Sequence, residues 1–374
     1  MSLSTKSLLK SSAGAVALSL PLAAFSGAPA FAVELYPKFS IEIPIEIESD
    51  TVFDSDDDDA EFTDTYATIE PEIVLSFNEI VSLNAGLVFE PVEGGEDPDP
   101  GEDIFFENHG LYAEQLFLEI APGDFSLIAG KYNPSFGVAW DLAPGIYGVD
   151  FAEDYELTER IGLAGSVSFG GEASGEHTLT VSSFFADTTG LTESLFQDRP
   201  TVDKDDGGPS NTEDLSSFAV TLIGEDVPFL GGFGYALSFA TQDQGETAAD
   251  TDDETGFAVA LFGGLDLTES LSVEPVIEYA SFDGFGGTDT DADYITAGLA
   301  FLTGPWNLSL AYTDRSIEEN GGSDFDDTLF AASAGYEFES GLTFDLGYKL
   351  EDAEDVESQV FGVLFTYTVG YSAP

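Results

Sequence analysis

The chain of 374 residues has no cysteine, two histidines and only 9 Lys+Arg. Without cysteine there is no disulfide framework, no thiol nucleophile and no Cys-ligated zinc or iron–sulfur site. The two histidines leave little room for a His-based metal centre or a Ser–His hydrolase. His109 precedes Gly110 at the start of an alternating segment, His177 borders a short turn, and both read as rim residues. There is no P-loop and no G-x-G-x-x-G opening a helix. Carboxylates are so frequent that no pair stands out as a hydrolytic dyad, so the chain reads as a non-enzyme. Against the few bases stand 72 Asp+Glu, a formal net charge of -63. Such a polyanion repels nucleic acid. Beyond residue 32 no apolar run approaches the ~20 residues that a membrane-spanning helix requires.

Apolar matter is nonetheless plentiful. Hydrophobic residues make up 43% of the chain, aromatics 13%, and Phe alone occurs 32 times, more than an acidic disordered chain carries. Gly at 40 and Pro at 17 point to many turns rather than long helices. Residues 1–32 read as a cleaved secretory signal: Lys6 and Lys10 open it, Ala13 to Phe25 is mostly apolar, and Ala30-Phe31-Ala32 is an A-x-A cleavage site. Removing it leaves a mature segment, 33–374, with a net charge of -65.

That segment alternates with period 2. Phe39, Ile41, Ile43, Ile45 and Ile47 point one way, with Lys38, Ser40, Glu42, Glu46 and Glu48 opposite; Trp306, Leu308, Leu310 and Tyr312 oppose Asn307, Ser309, Ala311 and Thr313. This excludes amphipathic helices in these windows. Sixteen windows qualify: 38–49, 65–78, 81–91, 108–120, 125–134, 158–169, 176–187, 214–224, 231–242, 254–264, 270–282, 292–302, 305–315, 325–338, 341–350 and 356–369. Most match the ~9–11 residues of a tilted membrane strand and exceed the ~5–6 of a globular one. Long and short connections alternate until the last, which places the long ones at one end of an antiparallel meander and both termini at the other. The expected fold is an all-β, transmembrane antiparallel barrel of about 16 strands, apolar face to lipid. A soluble sandwich explains neither the strand length nor the one-sided loops. Tyr235, Phe239, Tyr279, Trp306, Tyr312, Tyr336, Phe338, Tyr348 and Tyr367 fall on the outward face, several near strand ends, where girdles belong.

Barrels of ~16–18 strands enclose an aqueous channel. The inward parity assigns Glu42, Glu70, Glu72, Glu119, Glu274, Glu278, Arg315, Asp345 and Lys349 to its lining. The third long connection, 135–157, is rich in apolar groups for an exposed loop, and the expectation is that it folds into the lumen. Phe136, Trp140, Ile146, Tyr147 and Phe151 would then pack on the wall, with Asp141, Asp150, Glu153, Asp154 and Glu156 toward the channel. Arg160 is inward by parity and Lys131 has ambiguous parity; each is a constriction residue facing the acidic loop or a salt-bridge partner pinning it.

The stretch Gly130-Lys131-Tyr132-Asn133-Pro134-Ser135-Phe136-Gly137 resembles the G-[KR]-x-x-x-P-F-G segment preceding the constriction loop of Gram-negative general porins, with Ser135 separating Pro134 from Phe136. Glu159-Arg160 resembles the E-R that opens the next strand in some of them. The resemblance implies a sixteen-stranded barrel in outer-membrane lipid, a homotrimer, and passive diffusion of small hydrophilic solutes. Two features depart from the pattern: wall arginines are fewer than usual, and Ser372-Ala373-Pro374 follow Tyr371 where an aromatic is normally terminal, so the assembly signal falls to Tyr367 or Tyr371.

The connections are acidic: Asp54, Asp56–Asp59 and Asp64 in the first, Glu93, Glu96, Asp97, Asp99, Glu102 and Asp103 in the second. No EF-hand is present, since the run from Asp54 lacks Gly at position six and Glu at twelve, and the 286–291 stretch is a single copy. A solvated acidic face is the preferred reading, with no cofactor; weak calcium binding by these loops is the alternative. Either way the mouth attracts cations. The expectation is a diffusion channel preferring cations, against two alternatives: a substrate-selective channel for a sugar or other small solute, or an acidic calcium-binding surface protein.

Overall fold

The computed structural model describes residues 35–92, 101–245, 252–319, 322 and 324–373. The expected signal segment and Glu93, Glu96, Asp97 and Asp99 of the second connection lie outside the described residues.

Sixteen antiparallel strands form one closed sheet. They are β1 (Lys38–Ser55), β2 in two pieces (Thr63–Ile69 and Glu72–Ser76), β3 (Val81–Pro91), β4 (His109–Ile120), β5 (Phe125–Tyr132), β6 (Arg160–Gly171), β7 (Gly175–Ala186), β8 (Ser217–Glu225), β9 (Gly234–Gln242), β10 in two pieces (Glu254–Phe262 and Leu265–Thr268), β11 (Leu271–Asp283), β12 (Thr290–Thr303), β13 (Trp306–Glu319), β14 (Asp324–Glu337), β15 (Thr343–Ala353) and β16 (Val356–Ala373). Each pairs with its sequence neighbour, and β1 closes on β16 from Phe39↔Ala373 to Ser55↔Ser358. Closure leaves no unpaired edge, the condition for a sheet in lipid.

All sixteen windows are strands, but several run further than their periodicity. β1 continues six residues to Ser55, and β13 extends to Glu319. In these extensions polar residues stand on both faces, as in Asp50, Thr51, Asp54 and Ser55, and Val52, Phe53 and Ile317 do not alternate with them, so no apolar period marks them. The ladder continues because charged side chains of a ribbon standing in water stay hydrated. The first long loop shrinks to 56–62 as a result.

The outward faces carry Ile47, Leu127, Leu163, Leu237, Val259, Ile277, Ile295, Leu308 and Phe361, all exposed. They form the apolar band, and two sets of amphipathic rings border it. Near the short turns Trp306, Tyr336 and Phe338 stack edge to face, with centroids 4.7 and 4.9 Å apart. Toward the long loops Tyr279 donates to Asp293 (2.6 Å) and Tyr348 to Gln359 (3.1 Å), so each ring keeps its apolar body low and its hydroxyl among polar groups.

Candidate functional site: the lumen and its in-folded loop

The loop between β5 and β6, L3 (133–159), enters the barrel and lies along one side of the wall. Its apolar residues fix the path: Phe136, Ile146, Tyr147 and Phe151 are buried and Trp140 is half-buried. Phe136 and Tyr155 pack with Phe282 of β11 and Tyr294 of β12. Polar contacts then follow the wall from strand to strand. Thr221 of β8 donates to the Ser135 carbonyl (2.7 Å), and the Gly137 amide donates to Ser238 of β9 (3.1 Å). On β11, Glu278 accepts the amides of Val138 (2.7 Å) and Ala139 (3.1 Å) and the Tyr155 hydroxyl (2.7 Å). The Ile146 amide donates to Ser333 of β14 (3.0 Å), and Tyr147 donates to Asp50 of β1.

Two wall bases clamp the loop's acids. Arg315 of β13 bridges Asp154 (2.7 Å) and Asp327 of β14 (2.6 Å), its guanidinium 4.1 Å from the Phe151 ring centroid. Lys349 of β15 bridges Asp150 (2.9 Å) and Glu351 (2.8 Å). The wall makes room for the tip by omitting side chains. A Cβ on Gly347 would lie 3.0 Å from both Ile146 and Tyr147, and one on Gly362 would collide with the Tyr147 hydroxyl. A Gly362→Val substitution is therefore expected to push Tyr147 off Asp50, seen as noisier single-channel current with the barrel still folded; quiet current of wild-type size would refute this seat.

The structure thus redistributes the residues singled out in the sequence. Lys131 is 1% exposed and does not meet channel water. It pairs in register with Leu116 and Ile161, on the parity of Phe125, Leu127 and Ala129, and its ammonium is held by Glu159 (2.9 Å), Asp187 (2.7 Å) and Thr192 (3.2 Å). Arg160 lies against the wall, donating to the Thr158 carbonyl (2.7 Å) and to Gln242 of β9 (3.3 Å). Glu278 is sealed beneath L3 at 1% exposure instead of standing hydrated in the lumen, because the loop's amides replace water as its donors. Glu42 and Glu72 sit opposite each other on β1 and β2, with Glu70 on the same face. Glu119 accepts the Ser126 hydroxyl (2.7 Å), Asp345 accepts an Asn307 amide proton (3.1 Å), and Glu274 is exposed on the Glu278 parity. Glu153 is half-buried in the short helix Ala152–Tyr155.

Asp141 and Glu156 lie within electrostatic reach of each other on L3, and Glu156 also within reach of Glu114 of β4. Burial raises the Asp141 carboxyl above its ordinary range. Burial, then the charges of Glu114 and Asp141, push Glu156 up to about 8. No base offsets either within the described ion pairs. At the loop's exit Glu159 behaves oppositely: burial alone would raise it, but Arg199, Lys131 and Thr192 hold it below the usual carboxylate range.

Sequence reasoning missed Asp50, Asp327, Ser333, Glu114 and Arg199. The first three take part only through strands distant along the chain. Glu114 sits at a bulge, where the register shifts between Gly86 and Leu87 and parity arguments fail. Among the described residues no group of three His, Cys, Asp or Glu is arranged to hold a metal ion.

A family profile described as Gram-negative porin matches residues 109–370, well over half of the chain. The chain belongs to this family. No curated protein matches it in sequence. Solved structures agree on the fold. The outer-membrane channel DcaP of Acinetobacter baumannii superposes with a TM-score of 0.54 at 11% identity, covering 92% of this chain and 100% of that one. OmpT of Vibrio cholerae, in its trimer form, gives 0.53 at 12%, covering 89% and 100%. OccK1 of Pseudomonas aeruginosa gives 0.51 at 7%, covering 89% and 99%. This porin therefore resides in the outer membrane, and its short-turn end, with both described strand termini, is the periplasmic end.

Proposed function

We propose that this porin is a water-filled diffusion channel for small hydrophilic solutes that prefers cations, and that it works as a homotrimer. One observation carries the preference: three bases near the lumen, Arg315, Lys349 and Arg199, are neutralised where they stand. Arg315 and Lys349 are paired with L3 and wall acids, and Arg199 with Glu159, while Lys131 is sealed away from channel water. By contrast, no ion pair among the described residues involves Asp141, Glu42, Glu72 or Glu119, and Glu156, also outside these pairs, adds its charge only above about pH 8. A passage edged by L3 and the faces of β1–β4 thus presents carboxylates without an opposing basic ladder. Such a lining concentrates cations and excludes anions. The trimer rests on OmpT, a barrel of the same fold solved in trimer form.

The test is the reversal potential of purified protein in planar bilayers under a salt gradient. The expected sign is that of cation permeation. Anion preference, or a folded barrel without conductance, would overturn the reading, and a saturable block by one solute would indicate a substrate-selective channel instead.

A further inference from the structure

The loop L4 (187–216), which the sequence leaves among the outer loops, pairs with the edge of β4 and sets Arg199 against an inward-facing ring. β5 ends at Tyr132, where L3 turns inward, so the β4 edge above this point has no β5 neighbour. L4 takes that edge: Leu111 and Leu195 exchange both backbone hydrogen bonds (3.0 and 2.8 Å). Four residues on, the Arg199 guanidinium lies 3.6 Å from the centroid of Tyr112, a ring sharing the inward face of Val88, Glu90 and Gly110. Arg199 also bonds Glu159, at the point where L3 returns to β6. Its side chain keeps 22% of its surface exposed, more than Lys131, Arg315 or Lys349. The same corner holds Glu90, which accepts the Tyr112 hydroxyl (2.5 Å), and Glu114, which accepts an Asn133 amide proton (3.1 Å).

We propose that Arg199 is a specificity-determining residue of the channel: a positive charge carried in by L4 that offsets Glu159 and moderates cation entry past the acidic edge of L3. The inference rests on the channel reading above. It differs from a purely structural role in one respect, because the ion pair has two members of opposite charge. If the pair only braces L3, breaking it from either side loosens the same loop and shifts selectivity in the same direction. If Arg199 acts as a charge, the two breaks act in opposite directions.

The experiment compares wild type, R199Q, R199K and E159Q by reversal potential in a KCl gradient. A unit charge about 5 Å from a passing ion in a water-like medium favours one sign of ion about fourfold and disfavours the other about fourfold, so the cation-to-anion ratio changes about sixteenfold. R199Q is expected to raise the cation-to-anion ratio by about this factor, E159Q to lower it, and R199K to stay near wild type. All differences should shrink at 1 M salt, where screening reaches about 3 Å. Same-direction shifts in R199Q and E159Q, or an unchanged ratio in both, would overturn the proposal. If R199Q does not fold, Arg199→Met, which keeps much of the side chain's length without its charge, takes its place in the comparison with E159Q. Wild type that folds but does not conduct would instead refute the channel reading.

Discussion

Replacing Glu278 with alanine is expected to free the near limb of L3 and raise single-channel conductance. Glu278 is the loop's most heavily used contact, accepting two backbone amides and the Tyr155 hydroxyl, all at 3.1 Å or less. Its removal strands three donors in a site closed to water. Each buried unsatisfied group costs about 1–3 kcal/mol, so the docked limb loses roughly 3–9 kcal/mol relative to a solvated one. That exceeds what the surrounding contacts of Phe136 with Phe282 alone can hold, since aromatic pairs contribute about 0.5–1.5 kcal/mol beyond burial. The tip remains tethered by Ser333, Asp50, Lys349 and Arg315, so the loop is expected to fluctuate and not to leave the barrel. The signature is a larger, flickering current together with new protease sensitivity near 136–140. Glu278→Gln keeps one acceptor oxygen and should fall between. An E278A channel with wild-type conductance and an intact loop would show that packing, not this carboxylate, seats L3.

The barrel was legible in the sequence for a physical reason. Lipid on one side and water on the other impose period 2 on every strand, and the bilayer sets strand length. The in-folded loop was legible because Phe136, Ile146 and Tyr147 are too apolar for an outer loop. The roles of the charges were not. Parity places Glu278, Arg315 and Lys349 on the inward face, but inward is not the same as lining water once a loop lies over that face. Lys131 shows the opposite limit: it follows outward parity, yet Glu159, Asp187 and Thr192 enclose its head. Pairing between β13 or β15 and L3 joins residues 161 and 199 positions apart, Arg315 with Asp154 and Lys349 with Asp150, and no local pattern reports it. Arg199 was invisible for the same reason, since a loop arginine carries no mark of the gap it fills.

Cation preference should rise with pH, with its midpoint near the titration of Glu156. Burial first, then the neighbouring Glu114 and Asp141 charges, hold this carboxyl protonated up to about 8. Below that value Glu156 is neutral and adds nothing to the field at the edge of L3. Above it an anion appears beside Asp141 without a basic partner among the described ion pairs. The sign is therefore fixed: cations gain as pH climbs from about 6.5 to 9.5. One charge at about 5 Å in a water-like medium is worth about 0.8 kcal/mol to a cation and the opposite to an anion, or about sixteenfold in their permeability ratio at low salt, and much less at 1 M. Reversal potentials taken across this pH range should trace one proton, and Glu156→Gln should flatten the curve at its acidic level. Gln preserves the size of the side chain, so a flattened curve with unchanged conductance isolates charge from loop movement. Selectivity that stays level in wild type, or a slope that survives in E156Q, would place the titrating group elsewhere in the lumen.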